Sequence, residues 1–283
     1  MYRLTPKTYI GKHIKHIDLY NEIFALTKRL YIQIYRRPST LISGIIQPLL
    51  WLTLFSALFQ NAPVGLFTHN MPYSYFLSPG IIIFTAFTGS INAGLPLMFD
   101  REFGFLNRLL ISPLISRDSI FISSIFFITT TTIIQTIIII LCSIAMFHNT
   151  YSSWELLYIL IIIFLISLST SSISICLAFV LPGHIEFLAF ILIINLPMLF
   201  SSTALAPLSF MPHWLQLIAS INPLTYAIES IRYILSQANL FNYMDNINTA
   251  WLHISFYENL CLLILFNILS FTITKNIISY KFE

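Results

Sequence analysis

The sequence predicts an all-α polytopic membrane protein. Hydrophobic residues make up 57% of its 283 residues, charged residues make up only 9%, and the mean hydropathy is +0.82. A typical soluble protein carries about 25% charged residues. Because this chain has too few polar groups to cover a water-facing surface, the composition indicates that lipid is the solvent for most of it.

Six apolar stretches are long enough to cross a hydrocarbon core of ~30 Å, which takes ~20 helical residues. The predicted spans cover residues 41–59, 75–98, 120–147, 156–181, 187–201 and 253–273, in one transmembrane domain over 41–273. The apolar sequence continues from 202 to 235, but prolines interrupt it. Two full spans between 187 and 235 would give seven crossings. We favour one span followed by re-entrant helices, which gives six.

The positions of the basic residues predict the orientation. Eight of the 14 Lys and Arg residues precede the first span, three lie between spans two and three, and two follow the last span. With six spans all of these face one compartment, and Arg232 alone does not. This is the positive-inside pattern, so both the N- and C-termini are predicted on the cytoplasmic or stromal side. The short tail at 274–283 lies on that side.

Residues 1–40 predict a basic tail and an interfacial helix. Leu19, Ile23, Leu26, Leu30 and Ile34 fall on one helical face, whereas the basic residues of the segment lie opposite or to the side. A basic amphipathic helix beside a span is expected to lie flat on membrane lipid.

The loop 99–117 contains the sequence FDREFGFLNRLLISP. If it forms one helix, Phe99, Phe103, Leu106 and Leu110 fall within about 60° of one another on the wheel. Such a helix serves either as a passive turn or as a docking point for a partner. The pattern alone favours the passive turn.

Two charged residues in the late apolar region stand three positions apart, so one helical face brings Glu229 and Arg232 together. Pairing relieves part of the cost of a charge at membrane depth. A polar latch at the mouth of a pathway and a plain interfacial ion pair are equally compatible with this spacing.

The sequence does not predict an enzyme. The Gly11–Lys12 pair lacks the upstream glycine of a P-loop, so we expect no nucleotide or other cofactor on this chain. We also expect no catalytic residue, no metal site and no nucleic-acid partner. If energy is coupled to this protein, another chain must supply it.

Several short motifs, in order along the chain, resemble the ABC-2 type permease family, the membrane half of certain ATP-binding-cassette exporters. They are Arg36-Arg37-Pro38, Gln47-Pro48, Tyr75-Phe76-Leu77-Ser78-Pro79-Gly80, Arg101-Glu102-Phe103-Gly104-Phe105-Leu106 and Pro212-His213-Trp214-Leu215 followed by Asn222-Pro223-Leu224-Thr225-Tyr226. The likeness extends from about Asp18 to Phe271. Asn107 departs from it, because an acidic residue is common there.

The resemblance implies a homodimer of permeases with two ABC ATPase subunits that hold ATP and Mg²⁺. It implies an ATPase-coupling loop, which includes Arg101, Glu102, Gly104, Leu106 and Arg108. It implies an interfacial helix that ends at Arg36, Arg37 and Pro38. It implies an outer gate of re-entrant helices, which includes Asn222, Pro223, Tyr226, Glu229 and Arg232. The resemblance therefore favours a docking point for a partner over a passive turn as the role of this loop. An assembly or cofactor-delivery subunit on the same fold is the alternative function.

Codon usage suggests where the gene lies. The chain has 49 Ile and two Val, a ratio that bilayer physics does not produce but AT-rich codons do. The resemblance is strongest to permeases encoded in plastid genomes of the red-algal type. A plastid (chloroplast) membrane is therefore expected, with a bacterial inner membrane as the alternative.

Overall fold

A computed structural model describes residues 16–59, 73–111, 115–116, 118–147, 151–236, 247–248, 253–254 and 256–282. Within these ranges the chain is almost entirely helical. The α-helices are α1 His16–Tyr35, α2 Pro38–Leu58, α3 Tyr73–Asn92, α4 Leu95–Glu102, α5 Phe105–Ile111, α6 Asp118–Phe147, α7 Ser153–Val180, α8 His184–Phe200, α9 His213–Ile221, α10 Pro223–Ser236 and α11 Phe256–Phe282. A 3-10 turn covers Leu208–Phe210, and strands β1 Ile247–Asn248 and β2 His253–Ile254 pair antiparallel.

Five helical segments are long and apolar enough to cross a membrane. They are Pro38–Leu58, Tyr73–Glu102, Asp118–Phe147, Ser153–Val180 and Tyr257–Ile278. The apolar helix α8 is shorter, at 17 residues. The prediction of an all-α protein with several helices long and apolar enough to cross a membrane is confirmed.

Two predicted spans differ from the helices observed. The second is broken at Ala93–Gly94, and α4 restarts with Pro96 in its first turn, where a missing amide proton costs nothing. The sixth was predicted from His253, but His253 pairs with Asn248 in the β-hairpin and α11 begins at Phe256. Hydropathy averages across both features and does not detect them.

The face of α1 that was predicted to lie on lipid packs against protein. Leu30 is buried, and Leu26 and Ile34 pack against the core. A second apolar face is exposed instead, and it includes Phe24 and Tyr35. Because the helix is apolar on two sides, its periodicity alone does not show which side the bundle covers.

Helix directions follow from paired contacts. The Asn267 side chain donates to the Leu165 carbonyl at 2.9 Å, and the Thr274 hydroxyl donates to the Ser172 carbonyl at 2.9 Å. The residue numbers rise together, so α11 runs in the same direction as α7. Helix α3 lies at the centre of the bundle and contacts α2, α6, α7, α8 and α10. Helices α2 and α11 lie outermost and expose most of their apolar surface.

Serine and threonine are accommodated in these apolar helices by bonding to their own backbone. The hydroxyls of Thr85, Ser90, Ser124, Thr136 and Thr170 each donate to the carbonyl four residues earlier, at 2.7–3.0 Å. A hydroxyl satisfied in this way does not need water, so it is tolerated inside the bundle.

Candidate functional site

The segment from Leu95 to Ile111 forms an elbow, in which α4 and α5 meet at Gly104. Gly104 has φ of +75°, and its amide donates to the Arg101 carbonyl at 3.2 Å. This left-handed geometry after a helix end is open to glycine without steric cost. A Cβ on Gly104 would meet nothing within 4 Å, so the backbone angle alone requires glycine here.

The elbow corrects the prediction of one apolar face across this loop. Phe103 is 74% exposed, whereas Leu106 is 2% exposed and lies in the core. The turn at Gly104 rotates α5 relative to α4, so residues three apart point in different directions. The outward surface carries Phe103, Arg108 and Ile111, all of which are exposed.

Two of the predicted loop residues fasten the elbow to the connection between α7 and α8. The Arg101 guanidinium donates to the Leu181 carbonyl and, at 2.8 Å, to the Pro182 carbonyl. The Glu102 carboxylate accepts the His184 backbone amide at 3.0 Å and lies 2.7 Å from the His184 Nδ1. His184 is the first residue of α8, so Glu102 caps that helix from a distant part of the chain.

Helix α1 holds the elbow from the other side. Arg29 forms an ion pair with Asp100 near the end of α4. The Glu22 carboxylate accepts the Ile115 amide at 2.9 Å and the Ser119 hydroxyl at the start of α6. The elbow is therefore attached to α1 and to the α7–α8 connection by charged groups.

Sequence reasoning did not select Glu22, Arg29, Asp100 or His184 for the site. The available signal was a charged residue beside a span, where an unpaired charge is costly and a partner is expected. The predicted residues Arg36 and Arg37 are exposed at the end of α1, and Pro38 is the first residue of α2.

At the opposite end of the bundle, Asn222 joins the end of α8 to the start of α10. Its side-chain amide donates to the Met198 carbonyl and to the Ser201 hydroxyl, both at 3.1 Å, and its Oδ1 accepts the Leu224 amide at 3.0 Å. Pro223 begins α10, where its fixed φ suits a first helical turn. Asn222 is therefore both the N-cap of α10 and a brace for α8.

Tyr226 closes the turn between α9 and α10, because its hydroxyl donates to the Ser220 carbonyl at 2.6 Å. Tyr75 at the start of α3 donates to the Leu235 carbonyl near the end of α10 at 2.9 Å. Helix α10 packs against α3, α7 and α11, so it lies among the long helices rather than outside them.

Arg232 is the centre of this end of the bundle. Its Nη1 lies 2.8 Å from Glu229 Oε1, so the two residues that the spacing predicted as neighbours do pair. Its Nε donates to the Phe76 carbonyl at 3.2 Å, and its Nη2 donates to the Thr203 carbonyl. The guanidinium carbon lies 3.6 Å from the Phe76 ring centroid, in cation–π contact. One side chain thus ties α10 to α3 and to the turn after α8.

Within the described part of the chain, no three His, Cys, Asp or Glu side chains lie close enough to hold a metal ion. The arrangement offers anchoring groups at both ends of the bundle rather than a nucleophile with a base. It is built to hold helices in register.

Comparison with known proteins gives consistent results. Residues 21–236 match the family described as "ABC-2 type transporter". The chain is 54% identical to a protein of Porphyra purpurea named "Putative transport permease ycf38", over 98% of this chain and 93% of that protein. Proteins of the same name from Pyropia yezoensis and Cyanophora paradoxa are 53% and 48% identical, over 93% and 92% of this chain and 91% and 90% of theirs.

Proposed function

Because the chain belongs to the ABC-2 type transporter family, we propose that it is the membrane permease of an ATP-driven exporter. It is a multi-pass membrane subunit and not itself an enzyme. Permeases of this family generally work with ABC ATPase subunits, and here that subunit would hold the ATP and Mg²⁺. The elbow at Gly104 is the observation that carries the proposal, because it exposes a surface that is firmly attached to the bundle.

The docking surface is the outward side of the elbow. Phe103 and Ile111 expose large apolar side chains beside the exposed cation Arg108. An exposed aromatic flanked by a basic residue has the composition of a protein-binding hot spot. Leu106 points inward and secures α5 to the core, so a force on Phe103 reaches the bundle instead of bending the loop.

The route from the elbow into the bundle runs through Glu102 and Arg101. Both are hydrogen-bonded to the α7–α8 connection, and α8 leads directly to the turn held by Arg232. Movement of the elbow therefore displaces the start of α8, whose other end borders the re-entrant helices. In this proposal Asn222, Tyr226, Glu229 and Arg232 hold the outer gate.

Helix contacts support six crossings with both termini on one side. Helix α8 has 17 residues, or about 25 Å at 1.5 Å per residue, close to the thickness of the hydrocarbon core. Helix α7 ends beside Arg101 at the elbow, and α11 runs parallel to α7. The C-terminal end of α11 therefore lies at the same end of the bundle as α1 and the elbow. Re-entrant α9 and α10 connect α8 to α11 at the other end.

We further propose a homodimer in a plastid membrane. The outer face of α2 exposes Ile42, Ile46, Leu50, Leu54 and Leu58 in one stripe. Such a stripe suits either lipid or a second copy of α2. The named relatives come from plastid genomes of red algae and a glaucophyte, which supports the plastid location, and the elbow would then face the stroma.

The test is purification of the tagged full chain from gently solubilised native membranes, with mass spectrometry of its partners. We expect an ABC ATPase at about one per permease. Phe103→Glu is expected to weaken its retention about a hundredfold, as loss of a hot-spot residue does. Trp214→Glu is the matched control, because Trp214 is an exposed aromatic on α9 at the other end of the bundle.

Equal retention of the ATPase by wild type and Phe103→Glu would show that docking does not use the elbow. Reproducible absence of any ATPase beside an intact, folded chain would contradict the exporter and favour an assembly role on the same fold.

A further inference from the structure

A cavity of about 280 Å³ lies between α1, α2, α6 and the break between α3 and α4. It is separate from the outward surface of the elbow and from the Arg232 cluster. Its wall is partly polar, with side chains contributed by Gln33, Arg37, Gln47, Asn92, Thr131 and Gln135. So many amide groups along one cavity between apolar helices require a physical explanation.

Gln135 is the buried member of this set. It is only 6% exposed, and among the residues that the structure describes its amide makes no hydrogen bond. A buried amide without a partner is costly in an apolar setting. Gln135 lines the cavity, so a ligand or water placed there supplies the partner that the protein does not.

Gln47 and Asn92 on the neighbouring helices also carry carboxamides, but both of these side chains are exposed. Both line the cavity, and neither side chain forms a hydrogen bond with another described residue. Gln47 lies in the middle of α2, where a polar group that faced hydrocarbon would be expensive. Carboxamides from three helices therefore line one space, and of these three Gln135 is the buried one.

In the orientation proposed above, the cavity lies in the inner half of the membrane. Gly44 lies against Gln135 and is six residues into α2, or about 9 Å along the helix axis from Pro38. Arg37, just before that helix, also lines the cavity. Leu41 and Leu188 form apolar parts of the wall. A molecule in this cavity thus meets a cation at one end, amides along its length and apolar side chains beside it.

The charges select the ligand class. Arg37 is a cation, and the described residues that line the cavity include no carboxylate. An organic cation would find no counterion there, whereas an anion would find the guanidinium fork, which suits phosphate. The amides accept and donate hydrogen bonds to hydroxyl or ester groups.

We propose that this cavity binds an anionic amphiphile of the inner leaflet, with a phosphate-type head against Arg37 and its polar linker against Gln47 and Gln135. The apolar chain leaves past Leu41 and Leu188. Binding needs neither ATP nor a second subunit, so it goes beyond the proposed function and is tested separately from it.

The test uses the full chain in nonionic detergent, with Cys142, Cys176 and Cys261 replaced by serine. Ser43→Cys places a reporter thiol on the cavity wall, and Ser39→Cys places one a turn away on α2, outside it. The rate of labelling by a hydrophilic maleimide is measured with and without dodecyl phosphate. We expect dodecyl phosphate to slow labelling of Ser43→Cys about tenfold and to leave Ser39→Cys unchanged.

Arg37→Gln is expected to abolish the protection. Lys28→Gln removes a charge from α1 outside this cavity and is expected to retain the protection. Gly44→Ala tests the geometry. A Cβ on Gly44 would lie 2.6 Å from Gln135 Nε2, so the amide must move into the cavity, and protection should weaken.

The ligand arms separate the possible sources of the anion. Protection by dodecyl phosphate but not by inorganic phosphate supports a membrane amphiphile, and protection by both supports a site for the phosphate group itself. Equal protection by dodecyltrimethylammonium, or by none of these probes, overturns the proposal. Full protection of the Ser43→Cys thiol in the dimer without any probe also overturns the proposal, since a second copy would then fill the space. Retention of the ATPase by the same preparations reports independently on the exporter.

Discussion

Replacing Arg232 with leucine is expected to release the α9–α10 segment from the bundle. The Arg232 side chain is 13% exposed and its partner Glu229 is 23% exposed, so water screens the pair only weakly. The substitution leaves the Glu229 carboxylate without its cation and leaves the carbonyls of Phe76 and Thr203 without their donor. Removing one partner of a buried ion pair costs about 3–5 kcal/mol.

That cost is best measured as local opening, because a multi-helix membrane protein need not unfold in two states. At ~1.4 kcal/mol per tenfold, 3–5 kcal/mol corresponds to a loss of amide protection of about a hundredfold to several thousandfold. The assay is hydrogen–deuterium exchange with mass spectrometry on the full chain in nonionic detergent. Peptides from α9 and α10 report the effect, and peptides from α6 serve as the internal reference.

A paired variant separates the orphaned charge from the other lost contacts. Arg232→Leu with Glu229→Leu removes both charges, so the remaining cost is that of the unpaired carbonyls, at ~0.5–1.5 kcal/mol for each bond. The double variant should therefore exchange more slowly than the single variant. Unchanged exchange in Arg232→Leu, or faster exchange in the double variant, would refute the assignment of Arg232 as the tie between α10, α3 and α8.

Three further substitutions test the other anchoring positions. Gly104→Ala puts a side chain at φ +75°, at a cost of about 1–2 kcal/mol, and should reduce ATPase retention. Gly104→Asn should retain more of the ATPase because asparagine tolerates that angle, and equal retention by both variants would contradict the turn geometry. Gly80→Ala would place a Cβ 2.6 Å from the Ala204 backbone oxygen. This overpacking should cost about 1–3 kcal/mol and lower the melting temperature of the solubilised chain, whereas Ala86→Gly in the same helix should not produce this clash. Asn222→Ala removes the α10 cap and should cost about 0.5–2 kcal/mol, measured as faster hydrogen exchange at the Leu224 amide. Asn222→Asp keeps the acceptor and should restore most of the protection. Failure of aspartate to do so would show that the bonds to α8 dominate.

The long helices were predictable because hydropathy is a local property. A run of apolar residues such as 120–147 has one stable solution in lipid, a helix with all of its backbone bonds internal. The Glu229–Arg232 pair was predictable for the same reason, since both residues lie on one helical turn. The breaks at Gly94 and at His253 were not predictable from hydropathy, because a single turn hardly changes the average.

The contacts that build the elbow join residues far apart in sequence, and no local pattern encodes them. Arg29 and Asp100 are 71 positions apart, and Glu102 and His184 are 82 apart. The prediction of which face of α1 lies on lipid was wrong for a related reason. A helical wheel shows that residues such as Leu30 and Phe24 are apolar, but it does not show whether protein or lipid covers each side.

The hydroxyls of α6 and α7 are satisfied in different ways where these two helices pack against α3. On α6 the hydroxyls of Ser123, Thr131 and Thr132 donate to carbonyls of α6 itself. On α7 the Ser174 hydroxyl crosses to the Ile91 carbonyl of α3. Sliding α6 past α3 would therefore break none of those three α6 bonds, whereas separating α7 from α3 would break the Ser174 bond. Relative movement within the bundle is therefore expected to be easier between α6 and α3 than between α7 and α3.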